Sequence, residues 1–278
     1  QDMQSITDPE LVLNGDFEEL GDNVLLGNNS TFDSGIGDWV SYGAGTPSHS
    51  TDKLEVSVTT SEGGAMIPTN SLFTGGQSGK LLKVRAKLWL GTMTNTAFKA
   101  YIGGVQENVT LSSTPTYYDF YLKPTGSGNL IIYKTSIGGS AGTFFIDDIS
   151  VQQVDPNDRW SVGDKWSIAN GVARLVSNNS DGSGFIQSSV FTIGNTYNIT
   201  FDATVVSGIA KVEGAGGSNL IFIDETKTYN HTFVADRVDL YFNRVSSISD
   251  ITIDNISVKD ITFSTDVDLA RINYDSNG

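Results

Sequence analysis

Two short segments place an acidic residue inside an apolar strand, and they are the clearest candidates for chemistry in the chain. They are FFIDDISV, residues 144–151, and ITIDNISV, residues 251–258. Strict alternation along a strand puts Asp147 and Asp254 on the face of the following isoleucine and valine, which is the expected core face. A buried carboxylate without a partner costs several kcal/mol, so loop N–H groups or a cation must compensate it. Ca²⁺ is the natural cation, because it takes carboxylate and carbonyl oxygens.

A row of cations that ends in a tryptophan is the second candidate site. In LLKVRAKLWLG, residues 81–91, alternation places four side chains on one open face: Lys83, Arg85, Lys87 and Trp89. An indole ring stacks well on a pyranose, while Arg and Lys donate to hydroxyl or acidic groups. Tyr117 and Tyr121 follow in YYDFYLK, and a predicted loop at 42–50 adds Tyr42 and His49. The alternative is that Trp89 packs against the second unit, another subunit or a long loop.

The two acidic segments close two copies of one longer unit. Three further pairs of segments align: 79–88 with 194–203, 115–124 with 227–236, and 129–133 with 238–242. Trp39 and Trp166 stand near the two starts, where each is expected to close one end of its unit. A period of about 110 residues suits a β-sandwich domain rather than a solenoid repeat.

Composition favours strands throughout. Thr, Ser, Val, Ile, Asn and aromatic residues dominate, 30 glycines separate short apolar runs, and no window shows helical periodicity. We therefore predict an all-β chain of two tandem antiparallel β-sandwich domains, with a boundary in QQVDPND, residues 152–158. The predicted parts are an N-terminal extension (1–10), a first module (11–154), a second module (155–261) and a C-terminal junction (262–278).

The segment before Trp39 contains two similar openings, LVLNGDFEELG (11–21) and VLLGNNSTFDSG (24–35). One of them is expected to form an extra strand of the first unit, whereas the second unit lacks an NGDFE opening of its own. Such an opening, a tryptophan and a terminal FFIDDISV together resemble the jelly-roll carbohydrate-binding modules attached to many glycanases. The resemblance covers 11–151 well and 157–261 less well.

This resemblance implies a structural calcium ion that ties the first strand of each module to the last. The matching acidic positions are Asp147 and Glu18, with Asp16 or Asp33 as substitutes, and Asp254 in the second module. The resemblance also implies a glycan on an open sheet face or in the loops at one end.

Three segments resemble bacteriophage tail or capsid-associated proteins: 8–21, 158–171 and the tail FSTDVDLARINYDSNG (263–278). Three readings follow from the two resemblances. The first is a virion-surface protein that recognises glycans, either as part of a fibre or associated with a capsid. The alternatives are purely structural virion domains, with other virion proteins as partners, or binding modules of a secreted bacterial glycanase.

Charge and motifs argue against several other classes. With 17 basic and 32 acidic residues, the net charge of −15 repels nucleic acid. Without cysteine there is no disulfide or thiolate site, and no apolar run reaches the ~20 residues of a membrane span. Thr74 stands where a phosphate loop needs its first glycine, and G-x-S-x-G and H-E-x-x-H are absent. We therefore predict a non-catalytic protein and leave homo-oligomerisation open.

Overall fold

The computed structural model describes residues 9–68, 78–135, 140–179, 184–213 and 221–262. The predicted C-terminal junction and most of the N-terminal extension lie outside these ranges. The chain forms two compact units. The N-terminal unit contains residues 18–158 together with 168–170, and the C-terminal unit contains residues 1–17, 159–167 and 171–278.

The N-terminal unit is a β-sandwich with one 3₁₀ turn at Gly27–Asn29. Its strands are β1 (Val40–His49), β2 (Leu54–Ile67), β3 (Leu82–Leu90), β4 (Ala97–Ile102), β5 (Val105–Thr110), β6 (Thr116–Leu122), β7 (Leu130–Lys134) and β8 (Gly142–Gln153). The long β1–β2 hairpin belongs to both layers, because residues 54–58 of β2 pair with β8 and residues 63–67 pair with β7. The front sheet has the order β1-β2-β8-β3-β6, and the back sheet has the order β5-β4-β7-β2-β1.

The C-terminal unit has the same strand order in both layers. Its strands are β9 (Trp160–Val162), β10 (Trp166–Ala169), β11 (Val172–Asn178), β12 (Gly184–Gln187), β13 (Thr196–Ser207), β14 (Ala210–Glu213), β15 (Ile221–Ile223), β16 (Lys227–Val234), β17 (Leu240–Arg244) and β18 (Ile248–Asp260). Its front sheet is β10-β11-β18-β13-β16 and its back sheet is β15-β14-β17-β12-β9. Four short strands here replace the single long hairpin of the N-terminal unit.

This shared topology confirms the predicted all-β class and the pair of antiparallel sandwiches. The register also tests the segment alignments. The strands at 79–88 and 194–203 match as aligned. Lys87 pairs with Asp147 of the last strand, and the aligned residue Asp202 pairs with Asp254, the equivalent of Asp147. The other two alignments are wrong by one residue. Tyr121 corresponds to Thr232, because their partners Lys83 and Asn198 correspond, and Leu130 corresponds to Leu240.

The first of the two openings belongs to the C-terminal unit, which differs from the predicted boundary at residue 11. The Leu11 N–H donates to the carbonyl oxygen of Val258, and the Ile256 N–H donates to that of Gly15. A Cβ on Gly15 would lie 2.1 Å from the carbonyl oxygen of Ile256, so only glycine permits this close approach of the two backbones. Glu10 accepts the Val258 N–H at 2.7 Å. The C-terminal unit therefore does have an NGDFE opening, and residues 18–158 interrupt its sequence.

The second opening, residues 24–35 with Asn23 before it, binds the last strand of the N-terminal unit in the same way. Asn23 accepts the Val151 N–H at 2.9 Å, as Glu10 does for Val258. Phe17 and Phe32 both adopt a positive φ, 55° and 56°, and both are buried. Such dihedrals are unusual for a bulky residue, so their recurrence indicates one backbone motif used twice.

Each opening ends against a buried tryptophan. Trp39 packs on Phe32 and donates its indole N–H to Asn29, and Trp160 packs on Phe17 and donates to Asn14. The equivalent of Trp39 is therefore Trp160, and the predicted pairing of Trp39 with Trp166 is wrong. Trp166 is also buried, and its ring stacks on Phe185 at 5.2 Å.

A β-bulge in the last strand of each unit changes the predicted orientation of the aspartates. Asp148 and Asn255 adopt φ values of 42° and 53°, and the pairing with the neighbouring strand shifts at both places. In β8 the buried set is Phe144 and Ile146 before the bulge, and Ile149 and Val151 after it. Strict alternation fails because the bulge inserts one residue.

The prediction that the first aspartate of each segment faces the core is therefore wrong. Asp147 and Asp254 are only partly buried and lie on the opposite face from Ile146 and Ile253. Each accepts the N–H of the bulge residue that follows it, at 2.8 Å and 2.7 Å. Asp and Asn tolerate left-handed dihedrals better than most residues, which accounts for the repeated Asp-[Asp/Asn] pair.

A lysine that donates to backbone carbonyl groups is fully buried at the end of β7. The Lys134 Nζ donates to three backbone carbonyl oxygens, those of Thr59 and Thr60 at 3.2 Å and that of Ser140 at 3.1 Å. Burial lowers the pKa of Lys134 below its usual 10.5. This ammonium joins the bend of β2 to the segment before β8. In the C-terminal unit Arg244 occupies the matching position and donates to the carbonyl of Ser246 at 2.9 Å.

Candidate functional site

The outer face of the front sheet in the N-terminal unit brings six predicted binding residues together. We call it the cationic–aromatic face, and it consists of Lys83, Arg85, Lys87, Trp89, Tyr117 and Tyr121. In β3 the apolar residues Leu82, Val84, Ala86, Leu88 and Leu90 are buried, and the intervening four side chains point outward. Lys83 pairs with Tyr121 of β6, and Lys87 pairs with Tyr117. The predicted alternation of this strand is confirmed.

Carboxylates from β6 and β8 bind the cations of this face. Asp119 contacts both Lys83 and Arg85 at 3.3 Å. Lys87 contacts Asp147 at 3.1 Å and Asp148 at 3.4 Å. One end of the face thus has two cations around one carboxylate, and the other end has one cation beside two carboxylates.

Two of the aromatic rings of the cationic–aromatic face contact neighbouring side chains, although Tyr117 itself is 46% exposed. Trp89 stacks on Phe145, with ring centroids 5.1 Å apart and planes 27° apart. The Arg85 guanidinium lies 4.6 Å from the centre of the Tyr117 ring. The Tyr117 hydroxyl donates to Asp148 at 2.7 Å. These contacts weigh against Trp89 as a free platform for a sugar, although the predicted site itself remains a prediction.

The predicted calcium ligands do not come together as a metal site. Among the described residues, no group of three or more carboxylate or histidine side chains is placed to hold a metal ion. The Lys87 ammonium lies where a cation bound to Asp147 would be expected, and Asp33 accepts a hydrogen bond from Thr31 at 2.7 Å. Asp16 belongs to the other unit from Glu18 and Asp147.

The positions of these side chains, rather than their chemistry, provide no Ca²⁺ site among the described residues, and the burial argument for a metal fails at the bulge. Asp254 faces Asp202 across the sheet, and the Asn255 amide donates to Asp202 at 2.9 Å. Calcium stays a prediction, which thermal melting in Ca²⁺ and in EDTA would test.

The last predicted binding residue, Tyr42, lies on a different surface. The predicted loop at 42–50 is strand β1, which places Tyr42 on the outer face of the back sheet. His49 is not beside it, because the His49 Nε2 lies 2.8 Å from the carbonyl oxygen of Phe32. The prediction that a loop presents these two residues together is therefore wrong.

Tyr42 forms part of a second candidate surface. We call it the tyrosine face, and it consists of Tyr42, Tyr101 and Tyr133 with Glu62 and Gln106. Tyr42 and Tyr133 stand on either side of Gly64, which has no side chain to separate them, and their ring centroids lie 5.1 Å apart. The Tyr42 hydroxyl donates to Glu62 at 3.1 Å, and the Tyr133 hydroxyl donates to Gln106 at 3.2 Å.

Two phenols of the tyrosine face have a raised pKa. Burial and the hydrogen bond to Glu62 raise the pKa of Tyr42 from 10.0 to about 12. Burial also raises the pKa of Tyr133, helped by the negative charge of Glu62. The face therefore offers phenol rings, hydroxyl groups and a carboxylate acceptor.

Alkaline titration should report this environment directly. We expect one tyrosine of the folded protein to ionise near pH 12 by absorbance at 295 nm, and Glu62→Gln should move it part of the way back towards 10. Because folding raises this pKa, the stability contributed by the protonated phenol is present below pH 10 and is lost as the pH rises towards 12. An unchanged titration curve in Glu62→Gln would contradict the Tyr42–Glu62 contact.

Sequence reasoning missed Tyr101 and Tyr133, although a signal was present. In AFKAYI, residues 97–102, alternation places Lys99 and Tyr101 outward, and Phe98, Ala100 and Ile102 in the core. The neighbouring strand LIIYK is buried along its length, because Ile131 and Tyr133 are covered on the outer face as well. Because both faces of this strand are buried, its sequence does not alternate between apolar and polar residues, and nothing in it marks Tyr133 as an outward residue.

The C-terminal unit lacks both surfaces. At the positions that match the cationic–aromatic face it carries Asn198, Thr200, Asp202, Thr204, Thr228 and Thr232. Asn243 corresponds to Tyr133, and Glu213 corresponds to Tyr101. The same fold therefore forms without these aromatic residues, so folding alone does not account for their presence in the N-terminal unit.

Comparisons with known proteins give similarities of fold only. No protein-family model matches the chain, and no curated protein matches it. A similar solved structure is the tandem CBM22-1–CBM22-2 domain of Xyn10C from Paenibacillus barcinonensis, at 10% identity and a TM-score of 0.38, covering 87% of this chain and 98% of that one.

Two other similar structures belong to the same broad kind. The tandem CBM51 modules of the family 98 glycoside hydrolase Sp3GH98 from Streptococcus pneumoniae share 8% identity, with a TM-score of 0.25 and coverage of 76% and 86%. The family 11 carbohydrate-binding module of Lic26A-Cel5E from Clostridium thermocellum shares 16% identity, with a TM-score of 0.29 and coverage of 45% and 91%. No residue role is carried over from them.

Within the described ranges, no helix is long and apolar enough to cross a membrane.

Proposed function

We propose that this chain is a non-catalytic glycan-binding part of a secreted glycanase, and that its N-terminal unit binds neutral glycans on the tyrosine face. The observation that supports this proposal is the Tyr42–Tyr133 ring pair beside the Glu62 carboxylate. Phenol rings stack on the apolar faces of pyranose rings, and phenol and carboxylate oxygens bond to their hydroxyl groups.

Charge favours the tyrosine face over the cationic–aromatic face for a neutral ligand. The hydroxyl groups of a neutral sugar would have to compete with charge-assisted bonds between Lys or Arg and carboxylates, which are roughly twice as strong as neutral hydrogen bonds. On the tyrosine face the corresponding bonds involve neutral phenol donors, which a sugar hydroxyl can replace at lower cost.

The virion context that we predicted from local resemblances has no support from the comparisons, and it remains a prediction. The similar solved structures are carbohydrate-binding modules, some of them from named glycoside hydrolases, and two are tandem pairs. A secreted location belongs to the proposed function.

Affinity electrophoresis tests this proposal with soluble xylan and hydroxyethyl cellulose as the neutral glycans. We expect at least one of them to retard the chain, and Tyr42→Ala to weaken that retardation at least about tenfold. Trp89→Ala is the matched control, because it removes an aromatic side chain from the opposite sheet of the same unit. Loss of retardation in Trp89→Ala and not in Tyr42→Ala would return the site to the face predicted from sequence.

A further inference from the structure

The Lys83–Arg85 end of the cationic–aromatic face has chemistry that the proposed function does not use. Two cations share the single carboxylate of Asp119 there, so neither cation has a carboxylate to itself. The chain as a whole carries −15. At physiological ionic strength, charges more than about 8 Å away are largely screened, so most of this negative charge does not act on a ligand at the Lys83–Arg85 end.

Arg85 is held in place by two contacts that leave some of its N–H donors unused. Its guanidinium lies on the Tyr117 ring at 4.6 Å, and its Nη1 contacts Asp119 at 3.3 Å. Within the described part of the chain, Nη1 is the one guanidinium nitrogen with a hydrogen-bond partner, which leaves Nε and Nη2 available. The side chain is 45% exposed.

Lys83 adds a second cation beside this guanidinium. Its Nζ lies 5.6 Å from the centre of the Tyr121 ring. Burial draws the pKa of Lys83 down, but interactions with Tyr121 and Asp119 outweigh it and leave the pKa above 10.5. Lys83 therefore stays charged. Two fixed cations between two phenol rings match a ligand that has both a carboxylate and an apolar ring face.

We infer that the Lys83–Arg85 end of the cationic–aromatic face is a binding site for acidic glycans, with a uronate carboxylate on the free guanidinium edge of Arg85 and the sugar ring beside Tyr117 and Tyr121. Arg recognises carboxylates through two parallel N–H donors, which Lys cannot reproduce. The C-terminal unit has Asn198 and Thr200 at the matching positions, so the inference concerns the N-terminal unit alone. It goes beyond the proposed function because it uses the other sheet and another class of sugar.

Affinity electrophoresis of the full chain with polygalacturonate tests this inference. We expect polygalacturonate to retard the wild type, and Arg85→Gln to weaken this retardation at least about tenfold. Arg85→Lys should retain only part of it, because the ammonium keeps the charge and loses the paired donors. Lys99→Gln is the matched control, since it removes one positive charge from the back sheet.

The outcomes distinguish the two sites. Retardation by xylan should survive Arg85→Gln, and retardation by polygalacturonate should survive Tyr42→Ala. An unretarded wild type, or equal loss in Arg85→Gln and Lys99→Gln, would overturn the acidic-glycan site. Equal retardation by dextran sulfate and polygalacturonate would also overturn it, because that result indicates general attraction of anions. Melting temperatures check that each variant is folded.

Discussion

Phe17→Ala should destabilise the C-terminal unit by roughly 3–5 kcal/mol and leave the N-terminal unit unchanged. Phe17 is 2% exposed and packs against both Trp160 and Phe185, at centroid distances of 5.5 Å and 5.6 Å. Removing its ring leaves a cavity that the rigid aromatic cluster cannot close. Hydrogen exchange resolved by peptide mass spectrometry should show faster exchange in β12, β17 and β18, and unchanged exchange in β3 and β8.

Phe32→Ala provides the matched control for this result. Phe32 has the same backbone conformation, is fully buried and packs on Trp39. Its loss should accelerate exchange in the N-terminal unit instead. If Phe17→Ala accelerated exchange in β3 and β8, the first opening would belong to the N-terminal unit, as the sequence alone suggested.

Lys134→Met should destabilise the N-terminal unit by roughly 2–4 kcal/mol. The three carbonyl oxygens that accept from the ammonium cannot be removed by mutation, and methionine at this fully buried position offers them no donor. Methionine fills a similar volume, so the change reports lost hydrogen bonds rather than a cavity. Urea denaturation followed by circular dichroism measures the shift.

Lys99→Met separates this effect from the general loss of a positive charge. Lys99 lies on the neighbouring strand β4, and its side chain is partly exposed on the outer face. We expect its replacement to change the free energy of unfolding by about 0.5 kcal/mol or less. Equal stability of Lys134→Met and wild type would show that the ammonium does not bind the bend of β2 to the rest of the sandwich.

Strand content and the duplication could be predicted from the sequence, because alternating apolar residues and repeated segments are local signals. β3 illustrates this, since every second residue from Leu82 to Leu90 is buried as alternation requires. The bulge at Asp148 could not be predicted from alternation. A single residue with φ of 42° reverses the faces on either side of it, and the Asp147 carboxylate that looked buried instead binds Lys87.

A site could be predicted from the sequence when its residues lie close together along the chain. Lys83, Arg85, Lys87 and Trp89 come from one strand, and their common face followed from parity alone. The tyrosines of the tyrosine face come from three strands, β1, β4 and β7, and no single segment of the sequence shows the order of these strands in the back sheet. The assignment of residues 11–17 to the C-terminal unit could not be predicted for a related reason. Their partners Val258 and Ile256 are about 240 residues away in the sequence.

The interruption of the C-terminal unit also sets an order for synthesis. At roughly 5–20 residues per second, a ribosome needs about 7–30 s to make residues 18–158, during which Phe17 has none of its partners. The N-terminal unit is then complete, and its own ends meet where Leu20 bridges Val154 and Asp155 donates to Glu19. Because the two ends of the N-terminal unit lie close together, the folded unit connects residues 11–17 to residue 159 as a short loop would. Residues 11–17 are therefore already close to β9 when that strand emerges from the ribosome.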